Sequence, residues 1–110
     1  MENIKEKMQM ASFQMIASIG GAKGCYMEAI ELSKDNKFED AYAKIEEGRK
    51  MMAEAHHHHF EFVTEEANGV DLPFSLMLMH AEDQLLTTES IELMATEFVS
   101  LYEKLNKGDK

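Results

Sequence analysis

Proline occurs once in 110 residues, cysteine once and tryptophan not at all, and acidic side chains outnumber Lys and Arg by 21 to 11. Each shortage excludes something. With Pro73 alone, little interrupts long helices, and ten methionines with few β-branched residues favour helix over strand. A single Cys25 cannot close an internal disulfide, and its apolar neighbours point to a buried thiol rather than a nucleophile, in keeping with a reducing compartment. The net charge of -10, with the basic residues scattered, leaves no footprint for a phosphate backbone or an anionic membrane surface, so no nucleic acid is expected as partner. The longest apolar run is Leu76 to Met79, and the opening Met-Glu-Asn-Ile-Lys-Glu reads as neither signal peptide nor anchor. The expectation is a cytoplasmic chain without membrane insertion. Phosphate-loop, Gly-x-Ser-x-Gly and Cys-x-x-Cys motifs are also missing, which removes support for nucleotide, serine-hydrolase and dithiol chemistry.

What is present is helical periodicity in one domain spanning 1–110. Ile4, Met8, Ala11, Met15, Ala22 and Ala29 recur at spacings of three, four and seven and predict a first helix over about 4–34. Gly20, Gly21 and Gly24 fall inside it; each mid-helix glycine costs about 1 kcal/mol relative to alanine, so the run predicts a backbone packed against it or a bend. A second helix over about 38–67 turns Ala41, Ile45, Met52, Ala55 and Val63 inward and stops at Asn68-Gly69. A third is expected over about 73–105, with Pro73 in its first turn and a polar tail from Asn106 to Lys110. Short connections between long helices imply an all-α, antiparallel, up-down-up three-helix hairpin of spectrin-like form.

On a wheel of the third helix, Leu76, Met77, His80, Asp83, Gln84, Thr87, Ile91, Met94, Phe98, Leu101, Tyr102 and Leu105 fall in one stripe with Pro73. The opposite face is wet in the second half, with Glu89, Glu92, Thr96, Ser100 and Glu103. In the first half Leu78, Met79, Ala81, Leu85 and Leu86 leave only Glu82 pointing out. Two partner helices cannot cover a helix that is apolar on nearly every side, so self-association follows. His80 and Asp83, at i and i+3, break the stripe on one face. They are either a pair satisfying each other in a partly buried core, or a nucleophilic imidazole beside a carboxylate that tunes it or holds a cation. On a symmetry axis, copies of Asp83 would converge and require protons or a divalent metal between them.

The run His56 to His59 points in four directions around a helix, and only His56 and His59 share a face. Glu54 and His57 give one Glu-x-x-His pattern where a di-iron bundle needs two, and His-Glu-x-x-His is absent. A solvated helix face with one histidine turned inward is the reading favoured over a metal or partner contact.

Taken in order, these stretches resemble the enzyme IIA component of the lactose/cellobiose class, which also covers chitobiose, of the bacterial phosphoenolpyruvate-dependent sugar phosphotransferase system. The resemblance runs through Gly20-Gly21-Ala22-Lys23-Gly24 and Met27-Glu28-Ala29-Ile30, then Glu54-Ala55-His56 and Glu65-Glu66-Ala67-Asn68-Gly69. Its most specific part is His80-Ala81-Glu82-Asp83-Gln84-Leu85-Leu86-Thr87-Thr88, similar to the family's His-Ala-Gln-Asp-His-Leu-Met-Thr. The resemblance implies a homotrimer forming a nine-helix bundle. It implies that His80 accepts a phosphoryl group from the phosphocarrier protein HPr and passes it to the IIB component, which phosphorylates a β-linked disaccharide of lactose, cellobiose or chitobiose type entering through the membrane IIC component. It implies that Asp83 and its symmetry copies share one Mg2+. Gln84 stands where many members have a second histidine, Glu82 where glutamine is usual, and Gly21 and Lys23 where an acidic residue and arginine are common. Against this stand two alternatives, a transfer-inactive regulatory or structural helical trimer and a His-rich metal-binding bundle built on His56 to His59.

Overall fold

A computed structural model of the chain describes residues 3–108, so the first two residues of the opening hexapeptide and the last two of the polar tail lie outside the described residues. The first helix, α1 (Ile4–Lys34), starts where the Asn3 side chain accepts from the Glu6 amide at 2.8 Å, relieving one of the amides that a helix start leaves unpaired. It ends in a left-handed residue, Asn36 (φ 62°), while the Lys37 amide bonds back to the Leu32 carbonyl and that of Asn36 to Ser33. α2 (Phe38–Ala67) closes the same way at Gly69 (φ 90°), with the Val70 amide on Glu65 and that of Gly69 on Glu66. α3 runs Leu76–Gly108, starting three residues later and ending three residues later than the periodicity suggested. The late start has a local cause. Ser75 accepts from the Leu78 amide at 3.1 Å, a capping bond that Leu72, ahead of Pro73, has no side chain to make.

The helices run up, down and up, and form a rod measuring 63 × 21 × 18 Å. Among the described residues there is no strand, and no helix is long and apolar enough to cross a membrane. The main core stacks Met15, Ile19 and Tyr26 from α1, Ile45 and Met52 from α2, and Leu85 and Val99 from α3. Alanines at 22, 29, 41, 55, 81 and 95 lie fully buried between them and let the backbones come close. Each large side chain so buried stabilises the fold by about 1.5–3 kcal/mol. A smaller cluster at the far end joins Met8 and Ala11 to Phe62. Phe62 takes the place expected of Val63, which is 47 % exposed. The glycine run also departs from expectation: a side chain at Gly20 or Gly24 would meet nothing in the chain, and Gly21 faces only the flexible end of Met51.

One buried group ties all three helices together. The Tyr26 ring, with no exposed surface, lies against Gly48, and its hydroxyl donates to Glu92 Oε1 at 3.2 Å while Arg49 Nε donates to Glu92 Oε2 at 2.9 Å. Burial first, and the Glu92 charge second, push the Tyr26 phenol well above its ordinary value; burial and Glu47 push the Cys25 thiol up. In both cases the folded chain holds its proton more tightly than the unfolded chain does. The stability they contribute is complete below the unfolded values of 9.0 for Cys25 and 10.0 for Tyr26, and is lost as pH rises through the folded values. Chemical denaturation at rising pH should therefore show declining stability above pH 9 that steepens beyond pH 10, and Tyr26→Phe should lessen the steeper part, to which Tyr42 also contributes.

Candidate functional site

His80 and Asp83 project from consecutive turns of α3, one turn in from its capped start, and both are exposed. They make no hydrogen bond with each other or with any other described residue, so the reading of a mutually satisfied core pair does not describe them. The reason is the rotation of α3. Ala81, Leu85, Thr88, Ala95 and Val99 face the core, which turns the stripe containing His80 and Asp83 outward. Five of its apolar members are bare, Leu76 at 71 % exposed and Met94, Phe98, Leu101 and Leu105 exposed as well, while Met77, Ile91 and Tyr102 are half-buried.

The remaining histidines behave differently. His59 Nδ1 lies 2.5 Å from Glu82 Oε2 and His56 Nε2 lies 2.9 Å from Glu89 Oε1, both reaching from α2 to α3. His58 sits 3.5 Å from Glu61, and His57 packs edge-on against the His58 ring. Two histidines of the run thus turn to α3, rather than one inward. Glu82, expected to point out, is drawn into the α2–α3 seam, and Glu89, Glu92 and Glu103 line the same seam instead of forming a wet outer face. The seam is a polar ladder of Tyr42 with Glu103 at 3.0 Å, Arg49 with Glu92, His56 with Glu89 and His59 with Glu82. Antiparallel register alone carries the signal for these pairs, since Tyr42, Arg49 and His56 recur every seven residues on α2.

A groove at the start of α3 is lined by Leu72, Phe74, Met79 and Leu86 together with Glu82 and Asp83, and His80 projects outside it. It is apolar with an acidic edge and has no enclosed space for a small substrate. An exposed imidazole on a rigid helix suits a reaction whose other reactant is carried on a second macromolecule. No group of three or more His, Cys, Asp or Glu among the described residues is placed to hold a metal, so one protomer does not supply a complete donor set. Asp83 fits a hard divalent cation by chemistry, as a carboxylate free of other partners, and by number only if other protomers bring their copies to it.

Comparison with known proteins agrees with this geometry. The family model described as "PTS system, Lactose/Cellobiose specific IIA subunit" matches residues 10–103. The lichenan-specific phosphotransferase enzyme IIA component of Bacillus subtilis (strain 168) is 32 % identical over 104 residues, 94 % of each chain. The crystal structure of the cellobiose-specific enzyme IIA from Bacillus anthracis superposes with a TM-score of 0.86 at 32 % identity, covering 97 % of this chain and 95 % of that one. The IIA(chitobiose) chain solved in complex with HPr from Escherichia coli superposes with a TM-score of 0.73 at 26 % identity, covering 96 % of this chain and 99 % of that one. This chain, with its three-helix fold, therefore belongs to the lactose/cellobiose-specific IIA family of the phosphotransferase system, whose members are phosphotransferase components that carry phosphoryl groups.

Proposed function

We propose that His80 is the phosphoryl carrier, receiving the group from HPr and giving it up to a IIB component that serves uptake and phosphorylation of a β-linked sugar in the cytoplasm. The observation that supports this most is the state of the imidazoles. Among the described residues, His56, His58 and His59 are set against glutamates and His57 against a ring, while His80 alone has no hydrogen bond, ion pair or ring contact. A lone pair on its ring is free to form a P–N bond as the donor's bond to phosphorus breaks. The relatives named above act on lichenan, cellobiose and chitobiose systems, which supports a β-linked sugar as the eventual acceptor. The carrier never touches the sugar. The decisive experiment is incubation with phosphoenolpyruvate, enzyme I and HPr followed by fragmentation mass spectrometry. One phosphoryl group per chain, on the peptide containing His80, is expected; a group on the His56 to His59 peptide, or none, would exclude the assignment.

The bare stripe supports a homotrimer whose seam is α3, and Asp83 within that stripe supports a shared Mg2+ between the three copies. The bound ion would supply positive charge there, offsetting three carboxylates and the roughly two negative charges that phosphorylation adds one turn away. Asp83 itself only binds and orients. A ligand held by the folded trimer stabilises it, by about 2.7 kcal/mol at a concentration a hundredfold above its dissociation constant. Thermal melting should accordingly shift upward with Mg2+ and downward with chelator, and Asp83→Ala should melt at one temperature in both.

A further inference from the structure

Permanent positive charge is unevenly placed along the chain. Between Lys50 and Lys104 the sequence has neither Lys nor Arg, so the part of α3 that carries His80 offers no such charge to an anion arriving there. Any cation near that imidazole has to come from α1. Lys7 is engaged, lying 3.0 Å from Glu65 on the α2 side of the rod. Lys5 is exposed and makes no hydrogen bond or ion pair among the described residues.

Lys5 lines a second groove, of about 260 Å³, with Gln9 on its own helix and Phe74, Ser75, Leu76 and Met77 across from it. His80 is not one of the walls; it rises from the next turn of α3 on the same flank, four residues after Leu76 and three after Met77. Helical side chains lean toward the N-terminus, so the His80 ring is carried back over the turn that forms the groove wall. Glu82 is held on the other flank, against His59 of α2. The ammonium of Lys5, on a flexible four-carbon stem, can swing across the groove toward the ring. The fold itself has no use for it. Lys5 follows Ile4 in the first turn of α1, where the positive end of the helix dipole disfavours a cation, and it has no carboxylate partner among the described residues.

We propose that Lys5 is the phosphoryl-binding residue of the site, its ammonium drawing the oxygens of the arriving group across the groove and offsetting their charge while the group moves onto His80. This rests on the carrier role proposed for His80. In that step the donor's bond to phosphorus breaks, its electron pair leaving on the donor, as the His80 ring nitrogen forms the new P–N bond. Lys5 keeps its protons and forms no covalent bond. It meets the charge spread over the three phosphoryl oxygens that do not lie along the line of transfer.

The test combines single-turnover transfer from phosphorylated HPr with phosphorus magnetic resonance of the phosphorylated chain across pH, for wild type, Lys5→Gln, Lys5→Arg and Lys104→Gln. Lys104 is exposed at the far end of α3, so its substitution changes the net charge equally and leaves the groove alone. Lys5→Gln should slow transfer by about tenfold, the scale of one charge-assisted contact, while Lys5→Arg should stay within about threefold of wild type. Loss of the cation should also move the titration midpoint of the bound phosphoryl group upward, because a nearby positive charge favours its dianion. Melting should not fall in Lys5→Gln, since the helix dipole gains from the change. A Lys5→Gln variant with the wild-type rate or an unmoved midpoint, or slowing matched by Lys104→Gln, would overturn the role of Lys5 and leave the carrier reading standing. A wild type that accepts no phosphoryl group would overturn both.

Discussion

His80→Gln should abolish phosphoryl acceptance and lower sugar phosphorylation in a reconstituted system by at least about 10^4-fold, the scale on which removal of a covalent nucleophile acts. Glutamine is similar in size and polar, but its amide nitrogen has no available lone pair and cannot form the phosphoryl bond. His80 is exposed and makes no hydrogen bond among the described residues, so the substitution costs no packing, and the variant should melt within a degree or two of wild type. Loss of transfer with unchanged stability separates a chemical role from a structural one. Substituting His57 is the matched control: it is an exposed histidine on a neighbouring helix and should leave transfer intact. Were His80→Gln to retain transfer while a substitution in His56 to His59 lost it, the carrier would lie on α2.

Gly48→Ala should lower stability by about 1–3 kcal/mol, the usual range for overpacking a filled core, despite the roughly 1 kcal/mol that alanine gains over glycine in a helix. A β-carbon at Gly48 would stand 2.5 Å from Cε1 and 2.9 Å from Cζ of the Tyr26 ring. The ring has no room to retreat, being wholly buried and held at its hydroxyl by Glu92. At Gly24 the same substitution meets open space, so Gly24→Ala should raise stability by about 0.5–1 kcal/mol. Denaturant titration of the two variants at equal chain concentration should therefore move the midpoint in opposite directions. A stable Gly48→Ala would mean that the Tyr26 ring can be displaced, and the Arg49–Glu92–Tyr26 arrangement would then be looser than described.

The three helices were readable because their ends and their periodicity agree. The Asn68-Gly69 stop and the polar turn before Phe38 coincide with left-handed residues at Gly69 and Asn36, where chain reversal needs them. The start of α3 was misread by three residues because proline is visible in a sequence while the hydroxyl of Ser75 competes only once the backbone has turned. Rotation about a helix axis was the harder quantity. Met79, Leu86 and Leu93 look like core from their chemistry, yet Ala81, Ala95 and Val99 are what the other two helices touch, since small residues win where backbones approach closely. For the same reason His80 and Asp83 were found as residues but their exposure was not. The destination of Glu82 depended on which α2 residue stood opposite, a matter of register between segments 23 positions apart in the chain.

The bareness of His80 has a kinetic consequence. On the carrier role proposed for His80, one imidazole on a convex helix has a single direction of approach, so the protein that delivers the phosphoryl group and the protein that removes it would press against the same patch of surface. They cannot be there together. Turnover then alternates through two binary encounters, and double-reciprocal plots against donor and acceptor concentration should be parallel lines at low acceptor concentration, with the unphosphorylated donor protein acting as a competitive inhibitor against the acceptor.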